Sequence, residues 1–96
     1  MIDINYELYK VFYHVASTLN FSEASKQLFI SQSAVSQSIK TLERKLDQTL
    51  FIRSTKKVQL TPEGEILMRH IEPAMNLTQK GEAQLLEASS TGGQIR

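Results

Sequence analysis

Ser33, Ser36, Gln37, Lys40 and Arg44 fall at i, i+3, i+4, i+7 and i+11, a single face of a helix with no apolar member. The stripe opens with small neutral hydrogen-bonding groups and ends in cations. Such a face suits a double-stranded nucleic acid, with the first turn sized to read base edges and the later turns brought near phosphates. A merely solvated helix face carries the same kind of stripe, so the surrounding chain has to decide between the two. A second cluster, Arg53, Lys56 and Lys57, follows within a few residues. It reads either as solubilising charge on an edge strand or as a contact to phosphate or the minor groove. Residues 31–61 hold six cations against two acids, a net +4, in a chain whose total is +1. Positive charge concentrated in the middle third is the electrostatic footprint of nucleic-acid binding.

Other chemistries lack their residues. His14 and His70 are single residues far apart on expected helices, and Glu63 with Glu65 is accounted for by a helix start. There is no metal-ligand spacing, glycine-rich phosphate loop or nucleophile motif, so no catalytic residue, metal or cofactor is expected and an enzyme is not. Ninety-six residues make one domain with room for an appended element but not for a deep substrate pocket. No apolar run approaches the roughly 20 residues of a membrane span. The opening Met-Ile-Asp-Ile-Asn lacks a basic and then apolar leader, so no secretory signal is expected. The absence of cysteine fits a cytoplasmic protein.

The elements that must position these groups follow from periodicity. Ile4, Leu8, Val11, Phe12, Val15, Ala16 and Leu19 predict an amphipathic helix over roughly 5–18. Tyr6, Tyr9 and Tyr13 recur on another face, either flanking the core or meeting a further helix. Ser22 is the expected cap of a short helix over about 23–29, and Ser31 the cap of the two-faced helix. Ser25, Leu28, Ile30, Val35 and Ile39 match the buried positions of a helix-turn-helix over about 21–46. Phe29 stands where many such units carry glycine, which predicts a wider turn. Val35, Ile39, Leu42 and Leu46 supply the inward stripe of the second helix. Two β-prone runs around Ser54-Thr55-Lys56-Lys57 predict a hairpin over about 49–61. Together these make a mainly α fold, a winged helix-turn-helix over 4–61 built from three helices and a two-stranded hairpin.

Thr61-Pro62-Glu63 then opens a long helix over about 62–89: a hydroxyl cap, proline at the first position, acids in the first turn. Leu67, Ile71, Ala74, Thr78, Gly81 and Leu85 space four and three apart, a narrow seam that a three-helix core cannot cover along its length. That predicts a homodimer, with Tyr9 a further candidate at the contact. Pro73 predicts a bend near residues 69–73.

The run Phe21-Ser22-x-Ala24-Ser25-x-x-Leu28, continued by Ile30-Ser31-Gln32-Ser33-Ala34-Val35-Ser36-x-x-Ile39-x-x-Leu42-Glu43, resembles the DNA-binding domain of LysR-type transcriptional regulators. So do Leu50-Phe51-x-Arg53 and Val58-x-Leu60-Thr61-x-x-Gly64. The resemblance covers nearly the whole chain. It implies sequence-specific binding of double-stranded DNA by a winged module that dimerises through the long helix and occupies inverted half-sites. By the same pattern Gln32, Ser33, Ala34, Ser36 and Gln37 face the major groove. Gln32 would pair with an adenine edge, Ala34 touch a thymine methyl and Ser36 hold a phosphate. Lys40 would follow on the backbone, with Arg53, Thr55 and Lys56 in or beside the minor groove. The family commonly has Pro at the place of Ser33, Arg at that of Gln37 and Gly at that of Asp47. The resemblance also implies that residues 90–96 lead into a larger effector-binding domain absent here, which would carry any small-molecule inducer site, and that longer members assemble as tetramers. The alternative from another class is a winged-helix module serving protein interaction or dimer assembly without DNA.

Overall fold

The structure, a computed structural model, describes residues 3–90. The stretch 91–96, most of the expected passage to a further domain, lies outside the described residues. The elements run α1 (Tyr6–Thr18), α2 (Phe21–Leu28), α3 (Gln32–Leu46), β1 (Phe51–Arg53), β2 (Val58–Leu60) and α4 (Pro62–Ser90). Three helices, a hairpin and a long final helix form the winged helix-turn-helix that the residue pattern predicts.

Each of the first three helices starts on a side-chain oxygen. Asn5 accepts from the Glu7 N–H, Asn20 from Glu23 and Ser31 from Ala34, satisfying donors that have no partner within the helix. The cap of α2 is therefore Asn20, two residues earlier than the expected Ser22. The Asn20 carboxamide reaches the third helical N–H, so Phe21 and Ser22 are drawn into the first turn. Each of these helices also ends on a left-handed residue that is not glycine: Leu19, Phe29 and Asp47, with φ of 52°, 59° and 55°. After α2, the Phe29 N–H donates to the Lys26 carbonyl and Ile30 N–H to that of Ser25, the paired bonds of a Schellman cap. The turn that Phe29 was expected to widen thus closes in the conformation a glycine would adopt, leaving the ring 92% exposed.

One core joins the layers. Val11, Phe12, Val15 and Ala16 of α1 meet Phe21 and Ala24 of α2, Val35, Ile39 and Leu42 of α3, and Leu50 and Phe51 at the foot of the hairpin. Phe51 packs its ring against Phe12 at 5.4 Å and, edge-on, against Phe21 at 6.2 Å. Leu28 is half-buried, as its place in the helix-turn-helix requires. Ile30 is 39% exposed, more than expected, because the left-handed Phe29 turns the chain outward before α3 begins.

The hairpin pairs antiparallel, Phe51 with Leu60, Ile52 with Gln59 and Arg53 with Val58. Its foot is fixed to α3 by the Glu43 carboxylate, which accepts the Leu50 N–H at 2.7 Å and that of Phe51 at 3.3 Å. Thr61 joins the hairpin to α4: its hydroxyl donates to the Thr49 carbonyl at 2.6 Å and accepts the Gly64 N–H at 2.9 Å. α4 packs Leu67, Met68, Ile71 and Met75 toward the body and continues as helix through Pro73. Its 29 residues make a rod of about 43 Å. That rod accounts for the longest of the molecular extents, 50 × 32 × 19 Å.

Candidate nucleic-acid interface

The rotation of α3 about its own axis decides what it presents. Val35, Ile39 and Leu42 are 0%, 4% and 0% exposed, so the opposite stripe is turned outward. Ser33, Ser36, Gln37, Lys40 and Arg44 line one shallow groove along the helix, joined by Thr41. Thr41 stands four residues after Gln37 and three before Arg44, at the edge of the same stripe, so the spacing itself could have found it. Ser31 Oγ, which caps the helix, lies 3.2 Å from Ser33 Oγ. Gln32 and Gln37 project free of such a contact among the described residues and are exposed, whereas Ala34 is half-buried. Arg44 and Lys45 in the last turn also complement the negative end of the helix dipole.

The hairpin brings its cations to the same side. Its tip is closed by the Ser54 N–H donating to the Lys57 carbonyl at 2.9 Å, with the Ser54 hydroxyl bridging the same pair. Arg53, Thr55 and Lys56 are exposed. They share a polar notch with Gln32 from α3 and with Asn20 and Ser22 from the start of α2. Arg53 closes the seam directly. Its Nη2 donates to Ser36 Oγ at 3.2 Å, and its guanidinium carbon lies 3.8 Å from the centre of the Phe21 ring. The outward stripe of α3, the hairpin tip and the start of α2 thereby form one continuous polar and basic surface. Asn20 and Ser22 were not among the expected nucleic-acid contacts, Ser22 being read only as a helix cap. The signal that would have found Ser22 is the earlier cap, which leaves its hydroxyl exposed in the first turn of α2.

The expected dimer residues of α4 share one stripe whose first turns lie against the body and whose later turns run past it, and Tyr9 lies on α1. Leu67, Ile71 and Tyr9 are half-buried against the domain's own core. Thr78 donates to the Ala74 carbonyl at 2.9 Å and lines a groove with Tyr6 and Met75. Ala74, Gly81 and Leu85 are exposed, and a Cβ built at Gly81 meets open space. Leu77, outside the seam as the sequence was read, is 69% exposed and falls on the stripe of Ala74, Gly81 and Leu85. Among the described residues no group of three or more His, Cys, Asp or Glu is gathered for a metal. Nor, among the same residues, is any helix long and apolar enough to cross a membrane.

Residues 6–65 match the family described as bacterial regulatory helix-turn-helix protein, lysR family. The HTH-type transcriptional regulator PerR of Escherichia coli K12 is 43% identical over 76 residues, 79% of this chain and 26% of that protein. The Yersinia enterocolitica regulator HdfR is 38% identical over 79 residues, 82% of this chain and 27% of that protein. This chain therefore spans little more than a quarter of these relatives. Among solved structures, a mutant OxyR of Corynebacterium glutamicum superposes with a TM-score of 0.78 at 29% identity, over 88% of this chain and 26% of that one. The BenM DNA-binding domain, in complex with its catB site 1 DNA, has the same fold with a TM-score of 0.78 at 23% identity, over 96% of this chain and 100% of that one.

Proposed function

The chain belongs to the lysR family of bacterial regulatory helix-turn-helix proteins, and from that membership we propose that it binds double-stranded DNA sequence-specifically, as a dimer, to regulate transcription. The observation that carries this reading is the Arg53–Ser36 contact, which makes the wing and the outward stripe of α3 a single surface. A solvated helix face has no need of a basic hairpin fastened to its edge. Gln32, Ser33, Ala34, Ser36 and Gln37 enter the major groove; Gln32 has the bidentate amide suited to an adenine edge and Ala34 a methyl suited to thymine. Gln37 stands where the family commonly has arginine, so a guanine-reading fork is replaced by an amide that favours adenine at that step. Lys40 lies along the backbone, and Arg53, Thr55 and Lys56 reach the phosphates or the minor groove beyond. The outward stripe of α4, Ala74, Leu77, Gly81 and Leu85, mates with a second copy and sets two recognition helices about one helical turn apart, on inverted half-sites. A longer protein would carry the inducer-binding domain and the tetrameric contacts, and would work in the cytoplasm.

Selection from random duplexes, followed by binding titrations over a salt series, tests this. Gln32→Ala is expected to relax preference at particular base pairs, at a cost of about 1–3 kcal/mol on the preferred site. Lys56→Ala is expected to weaken binding to every sequence and lower the salt slope by about one. Affinity that does not depend on salt, or no binding to duplexes, would overturn the proposal and leave a winged module for protein assembly.

A further inference from the structure

The environment of Arg53 separates it from the other cations of the surface. Lys40 and Lys56 stand exposed on flexible stems, whereas the guanidinium of Arg53 is held from two sides by groups on two other elements. Phe21, the first residue of α2, presents its ring face 3.8 Å away. Ser36, in the second turn of α3, accepts from Nη2. Phe21 is itself fixed, 4% exposed, with its ring edge-on to Phe51, and Phe51 in turn packs on Phe12. The seat of Arg53 therefore rests on the core.

Both partners in that seat are neutral. A carboxylate would hold an arginine more strongly but would also cancel its charge toward any anion. A ring face and a hydroxyl fix the plane of the guanidinium and leave its charge and most of its five N–H donors unspent. The Ser36 hydroxyl, accepting from Arg53, keeps its own proton to donate. We propose that Phe21 and Ser36 are positioning residues for Arg53, holding its guanidinium at the seam of wing and recognition helix so that one DNA phosphate engages both elements together. The inference rests on the DNA-binding reading above. It adds to it a residue, Phe21, that touches no DNA and yet sets affinity.

Anisotropy titrations of the 96-residue chain on a labelled duplex bearing its selected site, at several salt concentrations, give the test. Arg53→Ala weakens binding and lowers the salt slope by about one. Phe21→Leu, which keeps apolar volume but removes the ring face, weakens binding about two- to fivefold. In an Arg53→Ala background the same change has almost no effect, because there is no longer a guanidinium to position. Arg53→Lys, at an exposed site that tolerates substitution, loses affinity with the salt slope unchanged: the charge remains and the held plane is gone. Equal losses from Phe21→Leu in both backgrounds would make its role purely structural and overturn the proposal. Wild-type affinity in Arg53→Lys would overturn it too, whether or not Phe21→Leu folds. A wild-type chain that fails to bind duplex DNA would instead defeat the functional reading itself, and is told apart by needing no variant.

Discussion

Gly64 begins the long helix against the foot of the hairpin, where backbone meets backbone. A Cβ at this position would collide with the Leu50 carbonyl oxygen and lie 2.8 Å from Leu60 Cδ2. A carbonyl in a hydrogen bond to Thr61 N–H cannot step aside as a flexible side chain would. Gly64→Ala is therefore expected to destabilise the chain by about 1–3 kcal/mol, as overpacking does, read as a lower melting temperature. Glu43 is the complementary case, a residue whose removal leaves something unsatisfied. Glu43→Ala strips the acceptor from the Leu50 and Phe51 N–H groups, at a cost of about 1–3 kcal/mol for part-buried donors left unpaired. Amide exchange should accelerate at those two residues before it does in α1. Both residues were visible as parts of a motif, but their partners were not. Glu43 and Leu50 are seven residues apart, and Phe21 and Arg53 thirty-two. Periodicity reports which face a residue occupies and is silent about what crosses to it from another element.

At the scale of elements, what could be read locally was read closely. The inward stripe of α3, the Ser31 cap, the hairpin around residues 54–57 and the Thr61-Pro62 start all follow from spacing and capping chemistry within one or two turns. The misreading of Ser22 shows where that stops. Asn20 and Ser22 are both good caps, and the choice between them depends on where Phe21 must sit to bury its ring beside Phe51, a tertiary demand. Helix ends were harder still, because three of them use left-handed residues with side chains. An L-residue in that region carries a steric penalty of about 1–2 kcal/mol, partly offset for asparagine and aspartate. Asp47 is exposed, and its N–H and that of Gln48 already close a Schellman cap onto α3. Asp47→Gly is expected to stabilise the chain by up to about 1 kcal/mol, a modest rise in melting temperature, since relieved strain outweighs the added freedom of the unfolded chain. An unchanged or lower melting temperature would mean that the aspartate offsets its own strain.

For the whole molecule, the question is what keeps the far half of α4 helical. Met75 is the last deeply buried one among its described side chains, with the Tyr6 hydroxyl donating to its sulfur at 3.2 Å. Residues 76–87 are all exposed, Leu77, Leu85 and Leu86 among them at 69%, 59% and 70%. A segment of that length is marginal as an isolated helix in water, so its order should depend on burying the outward stripe against a second copy. Leu77→Glu is expected to shift sedimentation from dimer to monomer, to lower helicity without melting the winged domain, and to reduce affinity for a paired site far more than for a single half-site. A variant that still sediments as the wild type would move the contact elsewhere.

The same geometry has a mechanical consequence. From Met75 to its described end the helix extends about 22 Å. A tilt of about 10° at the Tyr6–Met75 contact would carry the far end roughly 4 Å sideways over that arm. In the dimer proposed above, small repacking of one methionine would be enough, through such leverage, to change how far apart the two winged domains stand.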